Sequence, residues 1–204
     1  MNNAINNSII YPNVSLGHGT TVDAFCIIGQ PYQGSKMGKN ETTIGRDGVI
    51  RSHAVIYAGV QIGDRFQTGH HTLIRNGTTI GDDCSVGSGS TIEFAVQIGN
   101  GVRLHSNVFV PEYSVLEDGC WIGPNVVLTN AKYPRSSRAK EEIQGVHIEQ
   151  GAKIGANATI LAGVRIGRDA LIGAGAVVTH DVPAGAVMVG NPAKQINQIE
   201  NLPY

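Results

Sequence analysis

The chain has 204 residues, 15% of them charged, with 15 Lys and Arg against 16 Asp and Glu and a net charge of −1. That balance, without a basic run, argues against nucleic acid or an anionic membrane as partner, and no stretch approaches the ~18 apolar residues of a membrane span. The first ten residues hold neither a basic segment nor an apolar run, so no signal peptide is expected. The cysteines Cys26, Cys84 and Cys120 read as buried thiols of a reduced, cytoplasmic protein.

In chain order, a six-residue spacing opens with Ile10, Leu16, Val22 and Ile28, with Val14, Thr20 and Cys26 as smaller partners. Residues 29–43 break the register and, with Gly, Pro and polar side chains, are expected to form an extruded loop. From Ile44 to Leu128, anchors such as Ile50, Ile56, Ile62, Ile74, Ile80, Ile92, Ile98, Leu104, Val110, Leu116 and Ile122 keep the spacing without a slip. Four residues after each anchor stands a small or medium side chain, among them Ala54, Val60, Thr78, Cys84, Ser90, Val96, Val108 and Cys120. A second break, 129–147, concentrates charge. The spacing resumes at Ile148, Ile154, Ile160, Ile166, Ile172 and Val178, with Ala152, Ala158, Val164, Ala170, Ala176 and Val182 as partners. Residues 187–204 lose the period. A short helix or cap from about Ala193 is expected there, because an open β-helix end exposes unpaired strand edges.

A period of six fits neither a helix nor a lone strand. It fits a short strand plus a turn, repeated, and marks an all-β solenoid read as one domain over 1–204. Three such units close one triangular coil, so residues 18 apart should stack; roughly eight coils at ~4.8 Å give a prism of about 40 Å. Val49, Leu73, Ile74 and Phe109 read as outward apolar residues that seek cover.

Stacking sorts the corners into three columns. One is ordinary turn chemistry: Gly63-Asp64-Arg65, Gly81-Asp82-Asp83 and Gly99-Asn100-Gly101, followed by Glu117-Asp118-Gly119. The second carries Arg51-Ser52-His53, Gly69-His70-His71 and His105-Ser106-Asn107, with His53, His71, Asn107 and Asn125 in one vertical line. The third carries Tyr57, Arg75, Glu93, Phe94, Glu112 and Tyr113, ahead of the loop at Thr129. The functional surface is expected between the second and third columns. Above it the corners shrink to Gly155-Ala156-Asn157, Leu161-Ala162-Gly163 and Gly173-Ala174-Gly175, where an extended ligand can approach the backbone.

From Ile10 to Lys194 this pattern resembles the hexapeptide-repeat acyltransferases. The segments Asn107-Val108, Gly123-Pro124, Thr129-Asn130 and Pro134-Arg135-Ser136 are similar to those of nucleotide-sugar N-acyltransferases, which acylate amino-deoxyhexoses linked to UDP or dTDP. The resemblance implies a left-handed parallel β-helix, a homotrimer with active sites in the subunit clefts, and acetyl-CoA or another acyl-CoA as co-substrate. The implied reaction is attack of a sugar amine on a thioester. His105 is the first choice of general base, with Asn107 and Glu93 beside it as catalytic residues. His71, Arg75, Glu112, Asn130, Tyr133 and Arg135 are candidates for the acceptor, and Ala156, Ala162, Gly173, Ala174 and Lys194 for coenzyme A. A mechanism in which the departing thiolate takes the proton, with no side-chain base, stays open.

Three rivals stand beside this reading. An O-acetyltransferase acting on a sugar or serine hydroxyl would need its base more strongly. A γ-carbonic-anhydrase-like zinc enzyme would need a second histidine five residues after His105, where Val110 stands, so no metal is expected. A non-catalytic scaffold subunit fits the loaded corners poorly.

Overall fold

A computed structural model describes residues 3–5, 7–36 and 38–203. Each six-residue unit gives a strand of two to four residues and a turn, and the strands collect into three sheets, the faces of a prism. The first face runs from Asn3–Ile5 to Val177–Val178, the second from Val14–Leu16 to Arg165–Ile166, and the third from Thr21–Val22 to Lys194–Gln198. Pairing is parallel except at two ends, where Asn3–Ile5 and Lys194–Gln198 turn back antiparallel. Successive strands of a face pair at 18 residues, as in Leu73 with Thr91 and Thr91 with Phe109. The loops leave this register intact. Leu16 pairs with Ile44 and Leu128 with Ile160, so the insertions add ten and fourteen residues to a coil, both at the corner that leads from the first face to the second.

The anchors and their smaller partners fill the interior: Ile44, Ile50, Ile56, Ile92, Leu104, Ile122, Ile148 and Ile172 are all buried. Ile74 is fully buried too, as its place in the series demands, and so does not belong with the outward residues; Leu73 and Phe109 do face out. One position breaks the size rule, since Phe66 fills the small-residue column. Glycine stands one coil below it at Gly48, Cys84 one coil above, and the nearby anchor is Thr68 instead of an aliphatic. This is a local exchange of volume that keeps the core close-packed.

The third residue of each corner adopts a left-handed backbone: Asp47, Arg65 and Asp83 at one corner, His53, His71, Asn107 and Asn125 at another, Ala95 and Tyr113 at the last, with φ between 54° and 64°. Where that residue is Gly89 or Gly175, no penalty attaches. The vertical line of histidines and asparagines is thus first a backbone requirement that Asn, Asp and His meet more readily than branched residues.

The corner from the second face to the third is tied by a ladder. Asp64 Oδ1 accepts from the Arg46 amide at 2.7 Å, Asp82 from Asp64 at 2.7 Å, Asn100 from Asp82 at 2.9 Å and Asp118 from Asn100 at 2.7 Å. Ion pairs Arg46–Asp64 and Arg65–Asp83 reinforce it. Glu117 continues the ladder by accepting from the Gln150 amide at 3.0 Å while bonding His147 Nε2 at 2.7 Å.

At the far end, the cap differs from the expected helix. Ala186–Val189 and Lys194–Gln198 form a hairpin that covers the sheet edge, and only one 3-10 turn, Ile199–Asn201, follows. Backbone pairing meets the edge requirement directly, so a helix is not needed.

Candidate active site

The corner from the third face to the first lies between short strands, so its first residue emerges directly from an inward anchor. In the coil of Arg103–Leu104 that residue is His105. The imidazole is half-buried against Trp121, with ring centroids 4.6 Å apart and planes at 61°. Its Nε2 is buried with no hydrogen-bond partner among the described residues. Burial and, next, the Arg103 charge hold the His105 pKa below the ordinary histidine value, because both disfavour an added proton. The His105 backbone is fixed by its amide on the Ile122 carbonyl at 2.8 Å and by Ser90 Oγ donating to its carbonyl at 3.0 Å. Ser90 also accepts from the Val108 amide at 3.1 Å, so one buried hydroxyl locks both sides of the corner.

Beside His105 opens a cleft of about 310 Å³ lined by Arg51, Gln67, His70, Ser85, Ser88 and Arg103, among others. It lies over the third face, on the far side of this corner from the surface expected between the two loaded columns. His70, which its place in the column does not single out as a site residue, reaches this cleft with Nδ1 2.8 Å from Ser52 Oγ. His71, one residue on, instead stacks on His53 at 4.6 Å, and His53 lies 5.2 Å from Phe25. Corner position decides this: a second-position side chain leans over the third face and a third-position one stands off the turn. Asn107, also third, is exposed and its amide donates to the Ser88 carbonyl at 2.9 Å.

Above His105 in the same column come Gly123, Gly155 and Gly173, each donating its amide to the next coil: Gly123 to Ile154, Gly155 to Ile172 and Gly173 to Met188, at 2.7–2.8 Å. A Cβ at Gly155 would collide with the Ala174 amide, so the coils stack tightly here and form a ledge of small residues, Ala156 and Ala174 included. Lys194 stands exposed in the terminal hairpin, whose Gly190 and Ala193 are hydrogen-bonded to Val177.

The other candidates gather across the first face, at its opposite edge. Glu93 does not meet His105; it pairs with Arg75 at 2.9 Å, and Arg75 lies over the Tyr57 ring at 5.6 Å. Arg75 Nε is buried without a hydrogen-bond partner among the described residues. Asn130 donates to Glu112 Oε2 at 3.0 Å, and Phe94 meets Tyr113 edge-on at 5.7 Å. Tyr133 is exposed in the second loop below Lys132, Arg135 takes a left-handed turn there, and Ala162 lines a small pocket with Thr129 and Lys132 at the loop base. Between the two edges the first face presents Ile9, Phe109 and Val127, each 37–40% exposed, so one chain brings together neither edge with the other nor a cover for this apolar strip.

Among the described residues, no three His, Cys, Asp or Glu side chains are grouped to hold a metal ion. None of the helices described is long and apolar enough to cross a membrane.

Comparison with known proteins gives a coherent picture of the fold. The family model described as bacterial transferase hexapeptide (six repeats) matches residues 59–93 and 145–180, and that of the hexapeptide repeat of succinyl-transferase matches 77–111. No protein in the curated collection matches the chain. Among solved structures, a candidate acetyltransferase of Bacillus cereus is 21% identical, covers 86% of this chain and 85% of its own, and has a TM-score of 0.58. A galactoside acetyltransferase in complex with coenzyme A is 24% identical over 63% of this chain and 66% of its own, with a TM-score of 0.52. A GDP-perosamine N-acetyltransferase from Caulobacter crescentus, in complex with coenzyme A and GDP-perosamine, is 23% identical over 74% and 57%, with a TM-score of 0.48. The fold is a left-handed parallel β-helix of hexapeptide repeats.

Proposed function

We propose that the protein is an acyl-CoA-dependent N-acyltransferase acting on the amine of a nucleotide-linked amino-deoxy sugar. The matches to transferase hexapeptide models support the reaction class. The observation that carries the site is His105, half-buried against Trp121 with its pKa lowered first by burial, at the foot of the small-residue ledge through Gly123, Gly155 and Gly173. Coenzyme A, as in the galactoside acetyltransferase complex, would extend along that ledge and bring its thioester to His105, two to three coils or ~10–14 Å below.

The amine attacks the thioester carbonyl carbon, a C–N bond forms, and the C–S bond breaks with its electrons on sulfur. The amine proton passes to His105. Since Nε2 is buried and the ring packs against Trp121, we assign the other ring nitrogen, Nδ1, to receive it. A base whose pKa lies below neutrality is already deprotonated at pH 7 and is available to the neutral amine as it attacks, and the proton it takes can pass on to the departing thiolate. The side-chain carboxamide of Asn107, in the same corner, is our candidate donor to the tetrahedral oxyanion.

A homotrimer completes the reading. The exposed apolar strip of the first face supports association, and a cleft between copies would set one chain's His105 edge against another's Arg75–Glu93 and Glu112–Asn130 edge. In this arrangement Glu93 orients Arg75 and does not assist His105.

The test is a thiol-release assay with acyl-CoA donors against UDP- and dTDP-linked amino sugars; absence of turnover with every acceptor would overturn the acceptor class. A base-ready His105 also favours a second reading, O-acetylation of a hydroxyl. Turnover of hydroxyl acceptors, with activity abolished in His105→Ala, would select it.

A further inference from the structure

We propose that the cleft beside His105 is the site for the acceptor's diphosphate, gripped by the guanidiniums of Arg51 and Arg103, an assignment that rests on the nucleotide-linked acceptor proposed above. The cleft itself carries positive side chains, while Asp47 and Asp83 line an adjoining depression with Arg65 and Arg103. The cleft lining includes two arginines, two histidines and several hydroxyls, and no carboxylate among the described residues. Elsewhere Arg46, Arg65, Arg75, Arg138 and Arg165 each pair with Asp or Glu, while Arg135 in the second loop and Arg168, which donates to Gln150, form no ion pair with a described residue. On the cleft, Arg51 forms no ion pair with a described residue either, and its Nη1 donates to the Thr68 carbonyl at 2.8 Å. Arg103 is exposed and forms no ion pair with any described residue.

Their positions suit a bridged anion. Arg103 stands above Gln67 and Ser85 in one outward column, strand partners in successive coils with Trp121 next above it, while Arg51 rises from the adjacent corner. Two planar forks approaching one groove from its lower end and its side match a diphosphate, which offers acceptors on both phosphoryl groups. Ser88 adds a donor: its Oγ already accepts from the His70 amide at 3.0 Å, which leaves its hydrogen free for a phosphate oxygen.

Coenzyme A also carries phosphates, and position separates the two sources. The ledge rises from His105 through Gly123, Gly155 and Gly173, whereas Arg51 lies three coils on the other side of His105 in the same column. A cofactor along the ledge leads its phosphates away from Arg51. A diphosphate at Arg51 and Arg103 leads the sugar joined to it toward the imidazole.

Calorimetric titration of the full chain with UDP, dTDP and coenzyme A tests this, using the wild type, Arg51→Gln, Arg103→Gln and Arg103→Lys. A nucleoside diphosphate should bind the wild type and weaken about tenfold in each Gln variant, with coenzyme A affinity unchanged and Arg103→Lys in between. Loss of coenzyme A affinity instead, equal diphosphate affinity in all variants, or no diphosphate binding to the wild type would each overturn the assignment. Arg103 sits outside the core, so Arg103→Gln decides the matter alone should Arg51→Gln fail to fold. If a diphosphate binds through these arginines yet no amino sugar is acylated, the cleft assignment stands and the acceptor reading falls.

Discussion

Trp121 covers His105 edge-to-face at 4.6 Å, and it sits one coil above Arg103, its strand partner. One indole therefore shields the imidazole that one guanidinium repels. Both act in the same direction, against a second proton on the ring.

Trp121→Ala should release the larger of these effects. With Nε2 rehydrated, the His105 pKa rises toward the ordinary value of about 6.5. NMR titration of the imidazole in the variant and wild type reads the shift directly. An unchanged titration would show that Trp121 does not desolvate the ring.

His105→Ala and His105→Asn should lower kcat by about 10²–10⁴ if the ring accepts the amine proton. Near-wild-type turnover in both would transfer that role to the departing thiolate. The pH profile supplies a second readout. Activity falls as pH drops through the folded-state His105 pKa, so the acid limb lies below the usual histidine range. Arg103→Gln moves it upward by removing a neighbouring positive charge.

Stability should follow the same sign. His105 binds a proton less readily in the folded chain than in the unfolded one, so acidification below about pH 6.5 favours unfolding. Asp64 is held low chiefly by the Arg46 side chain, Glu117 by His147 and Glu149 by the Arg168 amide. Their stabilisation is present above the ordinary carboxylate range and is lost as pH falls through their depressed values. Thermal melts from pH 8 to pH 3 should show one monotonic decline with two phases.

The left-handed turn at Asn107 separates backbone from side-chain roles. Asn107→Gly should keep the turn, while Asn107→Ala should cost about 1 kcal/mol in chemical denaturation. An activity loss shared by both variants would then belong to the amide group; activity retained in Asn107→Gly would remove the oxyanion role.

The thiols offer a probe of the core. Burial pushes the Cys84 pKa up to about 11 and that of Cys120 to about 12, and raises that of Cys26 as well. Thiolate is the reactive form. A colorimetric thiol reagent at pH 8 should find no reactive sulfhydryl in the native chain and three in denaturant.

The prism was legible in the sequence because its core alternates on a fixed count, and a buried Ile122 or Cys120 announces itself by spacing alone. Even the odd Phe66 did not disturb that count. The site was less legible. His53, His71, Asn107 and Asn125 align vertically for a reason of backbone geometry, and a one-dimensional reading cannot separate that requirement from a chemical one. The difference between His70 and His71 depends on which way a corner turns its second and third residues, and no periodicity carries that. Glu93 and His105 are close in the chain, yet a strand across a prism face parts them. The terminal hairpin has no repeat to reveal it, so an edge that needed cover could be foreseen while the strand that covers it could not.

The 18-residue strand register has one more consequence. Extra chain can enter at the loop corner without disturbing any other pairing, but the height between two points on one edge changes only by whole coils. The molecule is in this sense a ruler graduated at about 4.8 Å. Arg51, His105 and Gly173 stand on one edge of it, three marks apart and three again. A version shortened by one coil between His105 and Gly173 should still fold, and would hold the two substrates out of step.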